Sequence, residues 1–292
     1  MKSDFKGVII PSHYRANVGK VHPLRSLAQE LVIRGFSKRT VKAYLGINQR
    51  FLAYIGKSAR EVSCQDVKDY LLYLKLRGQS NTSLNLTISA LKFYFQEVLK
   101  RKLFFNISRP RKEKYLPVVL AKEEILKLIG LTSNLKHQLL LSLMYGSGLR
   151  VSEAVALKVG HLDFNSFRVL VKSGKGAKDR WTVLSKKSLE LLNGYLPQLP
   201  MGQDYLFAGV KGRVHLSQRS AQKVFRQAMV RAGINKPAGC HSLRHSFATH
   251  LLGRGIELNL IQKLLGHENI KTTQIYARVS DRAVSRILSP LD

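Results

Sequence analysis

The chain has 292 residues, and its 49 Lys and Arg residues against 18 Asp and Glu residues give a formal net charge of +31. An excess this large predicts a polyanionic partner, since solubility alone needs a net charge of only about 2 to 8 on a small domain. No apolar run approaches the roughly 18 residues of a membrane-spanning helix, and the first residues lack the apolar core of a signal peptide. We therefore expect a soluble, cytoplasmic protein that binds nucleic acid.

Local composition divides the chain into four parts. Residues 1–22 are polar, with scattered Gly, Pro and His, and are interpreted as an N-terminal arm. Residues 23–108 have helical periodicity and no strand signal, which predicts a helical domain. Residues 109–117 belong to a basic stretch with proline, typical of a linker that can also lie on phosphates. Residues 118–292 form a second domain.

Three helices of the first domain have clear sequence signals. Ser37 can cap a helix that runs through Ile55, and Ser63 can cap the next one. A third apolar stripe runs from about Asn81 to Lys102. Together with the helical sequence pattern that starts at Leu24, these runs predict a four-helix domain.

The second domain begins with a helical sequence pattern. A glycine-containing break follows, and a new helix is predicted from Val151. Arg150 is therefore expected at a junction between a loop and a helix, with Glu153 one helical turn later. Such a pair is commonly a surface salt bridge that contributes little to stability. We interpret Glu153 instead as the residue that orients Arg150.

Two predicted strands, residues 167–172 and 181–184, flank a glycine-rich basic loop. The loop, residues 173–180, holds three basic residues and one acid. Its glycines permit positive φ angles and a close approach to a ligand, so Lys175 is expected at the tip of a hairpin. The order of residues that forms a nucleotide-binding P-loop is absent.

Four residues able to act on a phosphate ester lie close together near the end of the chain, namely His241, Arg244, His267 and Tyr276. Arginine has a fixed fork of donors for phosphate oxygens, histidine transfers protons near neutral pH, and tyrosine can form covalent intermediates. A zinc site is the alternative for His241 and His245, which are four residues apart. Because Arg244 would repel a cation there, no metal is expected.

With Arg150 and Lys175 added, the order and spacing of this set resemble those of the tyrosine recombinase (phage integrase) family, over about residues 24–285. The segment from Leu243 to Leu252 resembles the Xer-type bacterial branch, and the final residues are similar to those of integron integrases. The resemblance implies a mainly α fold: a helical N-terminal DNA-binding domain, residues 23–108, and an α-rich catalytic domain, residues 118–292, with a small antiparallel β-sheet.

The resemblance also implies a mechanism in which Tyr276 attacks a DNA phosphorus atom and leaves a 3′-phosphotyrosyl bond. Arg150 and Arg244 would bind the equatorial oxygens, where charge accumulates during an in-line attack. His241 would be the acid or base, Lys175 would protonate the departing 5′ oxygen, and His267 would hydrogen-bond the phosphate or the tyrosine. The covalent bond conserves the energy of the phosphodiester, so no metal, ATP or other cofactor is expected.

Members of the family recombine specific sites in double-stranded DNA, which implies a homotetramer on DNA with the end of the chain as a docking tail. A second recombinase or an accessory protein is a possible further partner. Two alternatives stay open at this point. A type IB topoisomerase shares the chemistry but relaxes DNA without exchanging strands, and a non-catalytic DNA-binding regulator would explain the charge but not Tyr276.

Overall fold

The chain forms two compact units, residues 1–114 and residues 115–292. The structure is a computed structural model that describes residues 24–103, 107–111, 117–172, 179–209 and 214–266. Each unit has its own apolar core. No helix within these described ranges is both long and apolar enough to cross a bilayer.

The described part of the first unit is built from α-helices, as the sequence predicts. The helices are α1 (Arg25–Ile33), α2 (Lys38–Ile55), α3 (Cys64–Leu76) and α4 (Asn81–Lys92). The predicted caps are confirmed, because the hydroxyl oxygen of Ser37 accepts from the backbone N–H of Thr40 and that of Ser63 from Asp66. A serine hydroxyl satisfies a backbone donor that has no partner within the first helical turn.

The helix predicted from Asn81 to Lys102 is interrupted. After α4, a π-helical turn spans Phe93–Val98, and Lys100 has a left-handed φ of 54°. The backbone N–H of Arg101 then donates to the carbonyl of Phe95 at 2.8 Å, which closes the helical run. The predicted end at Lys102 was wrong because apolar spacing does not detect a left-handed residue.

The core of the first unit is centred on Phe51, which is fully buried. Its ring packs edge-on against Tyr70 and Phe95, at centroid distances of 5.1 and 5.9 Å. Asn48, also fully buried, donates its side-chain amide to the carbonyl of Ala90 at 3.1 Å and so links α2 to α4. Phe95 is also fully buried.

The second unit is a helical layer with a small sheet, as predicted from the sequence. Its helices are α5 (Lys122–Gly130), α6 (Leu135–Gly146), α7 (Val151–Val155), α8 (Lys186–Tyr195), α9 (Gln218–Arg231), α10 (Cys240–Leu252) and α11 (Leu258–Leu265). Helix α6 is buried at every position from Leu139 to Met144 and packs against α8, α9 and α10. A helix that is apolar all round lies at the centre of a core.

The sheet is antiparallel, with strand order β1-β2-β3. The strands are β1 (Leu162–Asp163), β2 (Arg168–Val171) and β3 (Arg180–Val183). β2 and β3 confirm the predicted hairpin to within about one residue. β1 was not predicted, because two residues are too few to show an alternating pattern.

One residue assigned to the hairpin loop belongs to the sheet. Arg180 is the first residue of β3, pairs with Val171 across the hairpin and is only 9% exposed. Strand alternation places Arg180 and Thr182 on the buried face and Trp181 on the exposed face. The assignment of Arg180 to the loop was wrong, because its side chain has a buried partner that is distant in sequence.

We expect Phe51→Ala to lower the free energy of unfolding of the first unit by about 3 to 5 kcal/mol, since it leaves a cavity beside two packed rings. Urea unfolding followed by circular dichroism would measure this loss. Fluorescence of Trp181, the single tryptophan, reports the unfolding of the second unit separately. Leu76→Ala is the control, because this side chain is 79% exposed and should change stability by under about 0.5 kcal/mol. Equal losses in the two variants would contradict the prediction.

Candidate active site

Arg150 is held at the start of α7 by a tight turn that follows α6. Gly148, within the turn, has a φ of 62°, and a Cβ atom at this position would lie 2.4 Å from the ring of Phe247. Only glycine fits such a close approach in a left-handed conformation. Leu149 is buried, and Arg150 then projects a side chain that is 36% exposed. The turn therefore fixes the backbone position of Arg150, while its side chain stays partly accessible to solvent.

Glu153 binds Arg150 twice, which supports the orienting role inferred from the sequence. Its Oε1 accepts from Nη1 of Arg150 at 2.8 Å, and its Oε2 accepts from the backbone N–H of Arg150 at 2.8 Å. The second bond also satisfies a backbone donor at the start of α7. The side chain of Glu153 is only 10% exposed, so this is not a surface ion pair.

Arg180 reaches the same carboxylate from the sheet. Its Nη1 donates to Oε1 of Glu153 at 2.9 Å and its Nη2 donates to Oε2 at 2.7 Å, which is the bidentate geometry of a strong pair. Its Nε donates to the carbonyl oxygen of Leu264 at 2.9 Å. Arg180 therefore joins β3 to α7 and to the last turn of α11.

Arg244 approaches the carboxylate from α10, with a side chain only 2% exposed. Its Nη1 donates to the carbonyl of Gly148 at 2.8 Å and its Nη2 donates to the carbonyl of Leu265 at 2.6 Å. Nη1 also lies 3.6 Å from Oε2 of Glu153. A buried guanidinium held by carbonyls and a carboxylate is locked in one position.

The four residues Arg150, Glu153, Arg180 and Arg244 form what we call the Glu153 cluster. Burial alone would raise the pKa of Glu153, but hydrogen bonds and charge from Arg180 and Arg150 lower that pKa to about 2. The carboxylate is therefore ionised at neutral pH, and three guanidiniums face one negative charge. The cluster itself therefore carries a net charge of +2, which favours an anion.

His241 lies one helical turn before Arg244 on α10. Its pKa is lowered from the usual 6.5 by desolvation and by the positive charges of Arg244 and Arg150, against an opposing effect of Glu153. His241 and Arg244 are three residues apart on α10, as predicted, and His241 is close enough to Arg244 and Arg150 to be affected by their charge. A neutral imidazole can accept a proton from a neighbouring group.

His245 follows one turn after His241, and the two rings meet edge to face at a centroid distance of 5.2 Å. Desolvation, His241 and Arg244 lower the pKa of His245 from 6.5 to about 4. Among the residues that the structure describes, no group of three His, Cys, Asp or Glu side chains is placed to hold a metal ion.

Three predicted site residues lie outside the described residues, namely Lys175, His267 and Tyr276. The structure thus brings together Arg150, Arg244 and His241 from the predicted set, with Glu153 as predicted partner. The sequence reasoning missed Arg180 as part of this cluster. The signal for it was the alternation of Arg180, Trp181, Thr182 and Val183, which continues the strand by one residue at its start.

Stability of the second unit should fall as the pH drops from about 6.5 towards 4, partly because of His245. The unfolded chain binds this proton at a higher pH than the folded one, so the stabilisation is present above about pH 6.5 and is lost as the pH falls towards 4. His245→Asn should therefore flatten this part of the profile. Urea unfolding followed by Trp181 fluorescence between pH 4 and 8 would measure it.

Measurements above about pH 7 are the control for this variant, because His245 is neutral there in both states and any change reflects lost packing alone. An acid slope as steep in His245→Asn as in the native protein would contradict the prediction.

Comparisons with known proteins agree with this geometry. Residues 118–283 match the phage integrase family, and residues 24–104 match the phage integrase N-terminal SAM-like domain. The chain is 35% identical to the tyrosine recombinase XerA of Pyrococcus horikoshii over 261 residues, which cover 89% of this chain and 90% of the relative. It is 32% identical to a tyrosine recombinase of Thermosipho africanus over 263 residues, which cover 86% of this chain and 92% of the relative.

A solved structure of XerH site-specific recombinase, bound to a palindromic difH substrate in a post-cleavage complex, superposes with a TM-score of 0.73. The sequence identity is 25%, and the match covers 90% of this chain and 82% of XerH. The fold, the two matched regions and the relatives lead to one conclusion. The chain belongs to the phage integrase family and is a tyrosine recombinase of the Xer-like type.

Proposed function

We propose that this protein cuts and rejoins specific sites in double-stranded DNA through a 3′-phosphotyrosyl intermediate at Tyr276. The observation that carries the proposal is the meeting of Arg150 and Arg244, from distant parts of the sequence, at one ionised carboxylate. A site built to hold uncompensated guanidiniums in fixed positions suits the oxygens of a phosphodiester.

The two arginines have different accessibility, which suits different tasks. Arg150 is partly exposed and gives its Nη1 to Glu153, so the other edge of its guanidinium is available to a phosphate. Arg244 is buried and anchored by two carbonyls, so it supplies a positive charge whose position does not change. Charge that is fixed before the reaction stabilises a transition state without reorganisation.

In the proposed reaction, the phenolic oxygen of Tyr276 bonds to phosphorus as the bond to the 5′ oxygen breaks. Lys175 gives its proton to the departing 5′ oxygen. His241, kept neutral by its surroundings, accepts the phenolic proton directly or through the phosphate, and His267 hydrogen-bonds the phosphate. Reversal of these steps by the 5′-hydroxyl of another strand rejoins the DNA.

The proposed organisation assigns a task to each part of the chain. The helical domain of residues 23–108 and the linker of residues 109–117 would close around DNA with the catalytic domain of residues 118–292, helped by the arm of residues 1–22. The net charge of +31 supports such an extended contact with phosphates. Exchange between two sites would need four copies, with the C-terminal tail docked on a neighbouring copy.

Tyr276→Phe should bind DNA with unchanged affinity but form no covalent adduct, since it lacks the nucleophilic oxygen. A nicked substrate that carries a target site traps the adduct, and a denaturing gel then detects it. Tyr205→Phe is the matched control, because this partly buried ring lies in the same unit and packs against His215. Persistence of the adduct in Tyr276→Phe would remove Tyr276 from the mechanism.

Adduct formation should continue at an unchanged rate in the presence of excess EDTA and without ATP, because the proposed chemistry uses only side chains. The same trapping assay measures this, with protein first dialysed against the chelator. Loss of cleavage that is restored by a divalent metal ion would revive the metal site at His241 and His245.

A further inference from the structure

Arg180 lies outside the set of residues assigned to the chemistry, yet it makes the strongest pair in the Glu153 cluster. We propose that Arg180 is a positioning residue that keeps Arg150 available to the scissile phosphate by occupying Glu153. This inference rests on the proposed function and assigns a role in it to a residue that does not itself touch DNA.

Arg150 and Arg180 compete for the carboxylate of Glu153. Both oxygens of Glu153 accept from Arg180, at 2.9 and 2.7 Å, whereas the side chain of Arg150 reaches only Oε1, at 2.8 Å. A carboxylate beside an arginine with no competitor favours a bidentate pair. Without Arg180, Glu153 would be free to bind both Nη atoms of Arg150 and to withdraw them from a ligand.

Charge leads to the same conclusion. Glu153 is buried and ionised, and a negative charge beside a phosphate opposes binding unless it is neutralised. The bidentate contact with Arg180 neutralises it from the side of the sheet. The charge of Arg150 is then directed outward, where its side chain is 36% exposed.

The surroundings of Arg180 hold its guanidinium in place. Its side chain is only 7% exposed, and Nε is bound to the carbonyl of Leu264. Gly266, which ends α11 in a left-handed conformation, leaves room for it, since a Cβ atom there would lie 2.6 Å from Cδ of Arg180. An Arg in this position is therefore fixed by β3, α7 and α11 together.

An ion pair that only stabilises the packing of β3 against α7 would show the same contacts. The test must therefore separate an effect on the rate of adduct formation from an effect on folding. Arg180→Met removes one partner of a buried ion pair and is at risk of unfolding. Arg180→Lys is the informative variant, because it keeps the charge but loses the two parallel bonds and the contact with Leu264. Trp181 fluorescence identifies a temperature at which every variant is folded.

The experiment measures single-turnover formation of the covalent adduct on a nicked trapping substrate at saturating protein, together with DNA affinity. For Arg180→Lys we expect a rate on the order of 100-fold lower, the effect of a small misplacement of a reacting group, with affinity changed by less than about twofold. Arg168→Met is the matched control, because Arg168 is an exposed arginine on the adjacent strand that pairs with Asp163 and does not contact Glu153. It should keep the native rate at saturation.

The double variant Glu153→Gln with Arg180→Lys tests whether Arg180 acts through Glu153. Two residues in one pathway give non-additive effects, so the double variant should be no more than about threefold slower than the slower single variant. A native rate in folded Arg180→Lys, or a double variant that loses the product of both single effects, would overturn the proposal. A native protein that forms no adduct at Tyr276 would instead overturn the proposed function.

Discussion

The packing around the active site of the second unit depends on one constraint: the buried carboxylate of Glu153 must be compensated for the water that it loses. A buried charge costs several kcal/mol unless partners replace the water that it loses, and Glu153 obtains these partners from the start of its own helix and from two other elements. They are the backbone and side chain of Arg150 at α7, Arg180 at β3, and Arg244 at α10. Each arginine is positively charged and would repel the other two without the carboxylate. The cluster therefore needs the helices and the sheet to be packed together.

Main-chain carbonyls complete the cluster, and glycine makes two of these contacts possible. Arg244 binds the carbonyls of Gly148 and Leu265, and Arg180 binds that of Leu264. The last two belong to the final turn of α11, where these carbonyls have no backbone N–H donor within the helix. Gly148 lets the chain pass close to Phe247, and Gly266 lets α11 end against Arg180. The end of a helix thus supplies acceptors for cations, in accordance with the negative end of its dipole.

Sequence patterns predicted the parts of this arrangement that are local. Arg150 with Glu153, and His241 with Arg244, are each separated by three residues, so helix geometry alone places the members of each pair on one face. Arg180 was predicted incorrectly because glycines and lysines precede it and suggest a solvent-exposed loop. Its burial depends on Glu153 and Leu264, which lie far away in the sequence. The interruption near Lys100 was missed for a different reason. When a residue other than glycine adopts a left-handed conformation, the composition gives no signal of it. Lys175, His267 and Tyr276 lie outside the described residues, and their roles depend on the resemblance of their spacing to that of the family.

The site separates fixed charge from mobile protons, and this separation follows from its packing. The guanidiniums stay protonated at any ordinary pH, so the positive charge of the Glu153 cluster does not vary. Desolvation, together with the positive charge of Arg244, lowers the pKa of both His241 and His245, so these rings stay neutral near pH 7. Burial of Arg244 therefore has two consequences for a phosphate ester. It presents positive charge in place, and it keeps an adjacent imidazole in the form that accepts a proton. A lysine in place of Arg244 would change the position of this charge, because an ammonium lacks the planar fork and is more strongly hydrated.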